Sequence, residues 1–181
     1  MQAVIDACKN GVLQAKPCVV ISNNSGSMAL ERARAEGIPH YHLSQKAYPQ
    51  AEVLDQQIVA SLNKHGVNIV LLLGYMKKLG PLVLREFSGR ILNIHPSLLP
   101  KYGGQGMYGK FVHEAVLSAG DEVTGISIHL VDEEYDTGAI VNQCTLPVFK
   151  DDTVDSLSAR VLEAEHEFLV ETLVMMSRGA M

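Results

Sequence analysis

The chain is short of cysteines, of basic residues and of long apolar runs, and each shortage removes a class of protein. Cys8, Cys18 and Cys144 are three in number with no paired spacing, which argues against a disulfide framework or a zinc site. Reduced thiols fit a cytoplasmic setting. Lys and Arg total 15 against 20 Asp and Glu, a formal net charge of -5. That balance leaves no broad surface for nucleic acid or an anionic membrane, so small-molecule substrates are expected. No apolar run approaches a membrane span, and Met1 to Asp6 has neither the basic start nor the long apolar centre of a signal peptide. There is also no G-x-S-x-G and no repeat or low-complexity linker.

What remains is 181 residues with 47% hydrophobic content, enough for one domain (1-181) with one core. Helix-like and strand-like segments alternate. Ala3 to Lys9 is predicted helical and stops at Asn10-Gly11; Cys18 to Ser22 is a short buried strand. Met28 to Glu36 is a helix closed by Gly37, and His40 to Leu43 a short strand. Pro49 opens a helix with Val53, Leu54, Ile58, Val59 and Leu62 at helical spacing. Asn68 to Leu73 is predicted as a fully buried strand, Pro81 to Phe87 as a helix, Arg90 to His95 as a strand and Tyr108 to Ala119 as a helix. Gly125 to Val131 and Ala139 to Val148 read as strands, and Asp152-Thr153 caps a final helix reaching about Met176. The βα rhythm predicts an α/β layered fold.

In such sheets ligands sit beyond the carboxyl ends of parallel strands. Asn93 and His95 are two apart on a strand that Pro96 ends, so both side chains face the same way there. An amide and an imidazole side by side suit an oxyanion, and the acidic loop from Asp132 to Gly138 offers Asp136 as a carboxylate that could face His95. Such a carboxylate would raise the histidine pKa. Without an activated Ser or Cys, this set suits direct attack by a substrate nucleophile. The acidic loop has calcium-like spacing, but Thr137 and Gln143 stand where the turn Gly and the bidentate Glu belong, so no metal is expected. His40 with His42 is discounted as a metal pair, and His113 and His129 are read as structural.

Asn93-Ile94-His95-Pro96-Ser97-Leu98-Leu99-Pro100-Lys101-Tyr102 closely resembles the signature of the folate-dependent formyltransferases. The likeness continues through Gln2 to Lys9, Leu30 to Arg34, Gly74-Tyr75-Met76, Gly125 to His129, Ala159-Arg160-Val161 and Glu165-His166. It implies a Rossmann-like formyltransferase fold, a mostly parallel sheet flanked by helices. It also implies transfer of a formyl group from 10-formyltetrahydrofolate, the co-substrate, to the amine of glycinamide ribonucleotide in purine biosynthesis. The family roles fall on Asn93 and His95 as oxyanion stabilisers and on Asp136, which orients the histidine and assists proton movement. Folate contacts are implied for Tyr75, Met76, Lys77, Lys78, Leu79, Asn93, Val131, Asp132, Glu133 and Asp136. Ribonucleotide contacts are implied for Gly74, Ile94, Pro96 and Glu165.

One departure bears on substrate. Relatives place a strand and a Gly-Ser-rich phosphate-binding turn before the segment matching Gln2 to Lys9, and this chain begins after both. The expectation is therefore the family fold without its first strand. In order of preference, that reflects an internal Met taken as the start, a truncated protein, or an inactive folate-binding remnant. The alternative reading is a formyltransferase for another amine, such as a sugar amine. A monomer or a homodimer is expected.

Overall fold

Proline and glycine mark several of the helix boundaries in this chain, among them Pro81 at the start of one helix and Gly120 at the end of another. A computed structural model describes residues 1–179, and its packing divides the chain into a unit of residues 1–91 and a unit beginning at Leu92. Among the described residues no helix is long and apolar enough to cross a membrane.

The first unit contains α1 (Gln2–Lys9), β1 (Val20–Ser22), α2 (Met28–Ala35), β2 (His40–His42), α3 (Ala51–Lys64), β3 (Val70–Leu72) and α4 (Pro81–Glu86). β1 and β2 pair in parallel, Val20 opposite His40 and Ser22 opposite His42. Helix α2 packs over both strands, and Ala33 meets Ile5 and Ile38 in a core to which Met1 and Val20 add. Asn23 to Ser27 is a turn and cap: Asn24 Oδ1 accepts from Gly26 N–H, and Ser27 Oγ accepts from Leu30 N–H at the start of α2. β3 was expected to be fully buried over Asn68 to Leu73; it is three residues long and only partly buried. Its apolar run allowed burial on both faces but could not reveal which neighbours would cover it.

In α3 the buried stripe carries a charge. Asp55 is 4% exposed between Leu54 and Ile58, and its carboxylate accepts from Leu82 N–H (2.7 Å) and Val83 N–H (3.2 Å). It thus caps α4 from a neighbouring helix, satisfying two donors that a helix start leaves unpaired.

β4 (Ile91–His95) leads into the second unit, which continues with α5 (Lys110–Ala119), β5 (Val123–Leu130), β6 (Ile140–Pro147) and α6 (Val154–Ser177). β4 pairs antiparallel with β5, and β5 antiparallel with β6, with an irregularity at Ile128/His129. The predicted parallel rhythm thus holds for β1 and β2, whereas these later strands fold back on one another. Central β5 is buried from Thr124 to His129. At Gly125 an added Cβ would collide with the Cys144 carbonyl and the Leu98 side chain, so only glycine allows that approach. Helix α6 packs on α5, β5 and β6 through Leu157, Val161 and Phe168. Thr153 and Ser156 form its capping box, as the Asp152-Thr153 pair suggested.

Candidate active site

β4 reads Ile91-Leu92-Asn93-Ile94-His95, and its period of two places Asn93 and His95 on one face. The antiparallel register then sets His129 of β5 directly opposite Asn93. Opposed residues share a face, so three polar side chains gather beside the end of β4. The β5–β6 connection returns Asp136 to this cluster, with Asp136 itself at φ 58. For a non-glycine residue this left-handed conformation costs about 1 kcal/mol and occurs mostly where surrounding contacts impose it.

Distances define the cluster. Asp136 Oδ2 lies 3.5 Å from His95 Nδ1 and accepts from Gly104 N–H at 2.9 Å. Asp136 Oδ1 lies 3.4 Å from His129 Nε2 and 3.5 Å from Asn93 Nδ2. Asn93 Nδ2 is 3.0 Å from His129 Nε2, and His95 Nε2 is 2.8 Å from the Tyr102 carbonyl oxygen.

Because a carbonyl can only accept, His95 Nε2 must carry a proton, which leaves Nδ1 as the nitrogen toward Asp136. His129 Nδ1 likewise donates to the Leu130 carbonyl at 2.8 Å. Neutral His129 therefore accepts at Nε2, and Asn93 supplies the hydrogen. At 3.5 Å the second contact of Asn93, to Asp136, is long, so one amide hydrogen is left for another acceptor.

Electrostatics follow from burial. His95 is 4% exposed, and burial pushes its pKa below the ordinary value although Asp136 and the Tyr102 carbonyl pull it up. The expectation that Asp136 raises the histidine pKa overall is corrected: desolvation of the imidazolium outweighs one carboxylate 3.5 Å away. For Asp136, burial acts upward, but the His129 contact, the Gly104 N–H and the two imidazoles hold the carboxyl below its usual range.

The other predicted residues are more dispersed. Val131, Asp132 and Glu133 occupy the same connection as Asp136, where Asp132 Oδ1 accepts from Glu134 N–H and the Thr137 hydroxyl. Its role there is to shape the loop, and among the described residues no cluster of His, Cys, Asp and Glu could hold a metal ion. Ile94 and Pro96 flank His95, both partly buried. Glu165 lies on α6, partly buried, and burial pushes its carboxyl up to about 7. Gly74 and Tyr75 to Leu79 follow β3 in the first unit; Met76 and Lys77 are exposed there, and burial followed by the charge of Asp55 pushes the Tyr75 phenol up.

His129 is the member that sequence reasoning missed, having been read as structural. The alternation of Ser127 and His129 on β5 was visible, but the register against β4 was not. His113 is buried on α5, and its Nδ1 has no hydrogen-bond partner among the described residues. His40 and His42 each engage a backbone carbonyl, of Ile38 and Asn23. A cavity of about 450 Å³ in the first unit, lined by Lys9, Lys16, Glu36 and His65 among others, contains none of the predicted residues.

Comparison with known proteins places this chain in a family. Residues 1–173 match the family described as Formyl transferase. The chain is 39% identical over 166 residues to "Phosphoribosylglycinamide formyltransferase" of Escherichia coli (strain K12), covering 92% of this chain and 76% of that protein. It is also 39% identical over 181 residues to "Trifunctional purine biosynthetic protein adenosine-3" of Drosophila melanogaster, covering 99% of this chain but only 13% of the insect protein. Among solved structures, phosphoribosylglycinamide formyltransferase from Bacillus halodurans superposes with a TM-score of 0.90 at 34% identity, covering 99% of this chain and 90% of that one. The α/β fold is thus the Rossmann-like formyltransferase fold expected from the signature at Asn93 to Tyr102. The chain belongs to the formyl transferase family.

Proposed function

We propose that this chain transfers the formyl group of 10-formyltetrahydrofolate to the primary amine of glycinamide ribonucleotide, a step of purine biosynthesis. The carrying observation is the contiguous cluster of Asn93, His95 and Asp136 at the end of β4, in a chain similar to enzymes named for that transfer. The amine nitrogen attacks the formyl carbon and the carbonyl electrons move onto oxygen. Collapse of that tetrahedral species breaks the bond to the folate nitrogen, which takes up the proton the amine loses.

Each side chain has a part in that sequence. The free amide hydrogen of Asn93 and a proton on His95 Nδ1 are donors for the oxyanion. A preorganised donor in a water-poor site is worth about 3 kcal/mol in the transition state. Asp136 keeps the imidazole in place and passes the proton lost by the amine on toward the folate nitrogen. Because burial lowers the His95 pKa, its imidazolium is a stronger acid than an exposed one. His129 holds the Asn93 amide in its donor orientation.

The loop from Val131 to Asp136 suits backbone recognition of the pteridine, while Ile94, Pro96 and Glu165 suit the ribonucleotide. Likeness of sequence alone assigns Tyr75 to Leu79 to the folate and Gly74 to the ribonucleotide. The unbroken family match over residues 1–173 supports a single formyltransferase domain, and three free thiols support a cytoplasmic setting.

Steady-state assay with 10-formyltetrahydrofolate tests the reading. Formylation of glycinamide ribonucleotide in preference to nucleotide-sugar amines is expected. Turnover of a sugar amine alone, or tight folate binding with no turnover of any amine, overturns it.

A further inference from the structure

Tyr102 is one of two non-glycine residues with positive φ among the described residues, at 57°, and it supplies the carbonyl that receives His95 Nε2–H. Something must hold it in that conformation. Its phenolic hydroxyl donates to Asp121 Oδ2 at 2.8 Å. Lys101 Nζ reaches both oxygens of the same carboxylate, at 2.8 and 2.6 Å, and sits 5.0 Å from the centre of the Tyr102 ring. Asp121 follows Gly120, the left-handed cap of α5, and precedes β5, so it stands between two regular elements.

The upstream side of the loop is fastened separately. Ser97 Oγ donates to the Lys101 carbonyl at 2.7 Å, and buried Ser127 accepts from Leu99 N–H at 2.9 Å while donating to the Ser97 carbonyl at 2.6 Å. With the chain held before Lys101, the Asp121 contact decides where the Tyr102 peptide points.

We propose that Asp121 and the Tyr102 hydroxyl form a positioning pair, remote from the reacting atoms, that presses the Tyr102 carbonyl against His95 and so keeps the imidazole proton on Nε2 and Nδ1 toward Asp136. The histidine has few alternatives for orientation. Besides Asp136, the titratable groups acting on it are His129, whose Nδ1 is engaged by the Leu130 carbonyl, and His113, whose Nδ1 makes no hydrogen bond. When the carbonyl swings away, the ring loses its Nε2 acceptor and the second tautomer, with its proton on Nδ1 beside Asp136, becomes competitive. Asp121 and Tyr102 therefore act through His95. Only the kinetic arm of the test depends on the formyl-transfer reading.

NMR of isotope-labelled histidine reads the ring directly. In the unaltered chain neutral His95 should be the Nε2–H tautomer with a slowly exchanging proton. Tyr102→Phe and Asp121→Ala should convert it to a tautomer mixture with a fast-exchanging proton. Asp121→Asn, which keeps an acceptor for the hydroxyl, should restore the slow signal. In turnover, Tyr102→Phe should lower kcat about tenfold to a hundredfold with KM changed less than about twofold. The alkaline limb of its kcat profile should move to lower pH, because the carbonyl's upward pull on His95 is lost and the doubly protonated ring is the oxyanion donor. An unchanged Nε2–H tautomer in Tyr102→Phe, or Asp121→Asn as impaired as Asp121→Ala, overturns the proposal whether or not the chain turns over formyl-folate.

Discussion

The backbone N–H of Gly104 donates to Asp136 Oδ2 at 2.9 Å, closer than Asp136 stands to Asn93, His95 or His129. The carboxylate is therefore set first by a glycine-rich loop and only then by the groups it is expected to serve. Gly104 has φ 95, a backbone state that a residue with a Cβ adopts only under strain, although the space beside it is open. Gly104→Ala should move the N–H off the carboxylate and reduce kcat about tenfold, with a stability loss of about 1 kcal/mol or more. Parallel kinetics and thermal unfolding check it; unchanged kcat would separate Asp136 from this loop.

His129 accepts from the Asn93 amide, so its removal should be felt there. His129→Leu leaves the Asn93 amide without its acceptor. We expect kcat to fall by about two orders of magnitude with far-ultraviolet dichroism unchanged. A loss of less than about twofold would return His129 to a purely structural role.

Asp55 tests the support of the first unit. Asp55→Ala removes the acceptor from Leu82 and Val83 and leaves two amide donors at the start of α4 unpaired, one of them buried. The expected loss is about 2 kcal/mol or more. Denaturant unfolding measures it, and a midpoint equal to the unaltered chain's would show that water replaces the carboxylate.

Buried His95 and partly buried Glu165 give opposite dependences on pH. His95 titrates lower in the folded chain than in the unfolded one, where its ordinary value is about 6.5. Between those values the unfolded chain binds more protons, so His95 costs stability as pH falls through that window. Asp136, also lowered, adds a loss of the same sign at still lower pH. Glu165, raised to about 7, binds its proton more tightly when folded and costs stability as pH rises toward 7 and above. Thermal scans should show His95→Gln flattening the acid-side decline and Glu165→Gln gaining stability at alkaline pH. The reverse ordering would contradict both assignments of burial.

Much of the architecture was legible because local rules are short in range. The spacing of Val53, Ile58 and Leu62, the stop at Gly120 and the cap at Thr153 placed helices to within a few residues. Asp55 was not legible: a carboxylate on an apolar stripe makes sense only once α4 is seen to start beside it. The site divided in the same way. Asn93 and His95 were joined by a period of two within one strand, whereas His129 and Gly104 come from segments whose register and return path no local pattern encodes.

The sequence by itself therefore determined the family, the α/β class and the pairing of an amide with an imidazole at the end of β4, since each rests on neighbours within a few residues. Only the tertiary structure decided which proton His95 carries, why its pKa falls instead of rising, and what holds Asp136. Those depend on desolvation and on carbonyl and N–H groups brought in from distant positions. Burial and direction are properties of the packed chain, and no residue type carries them alone.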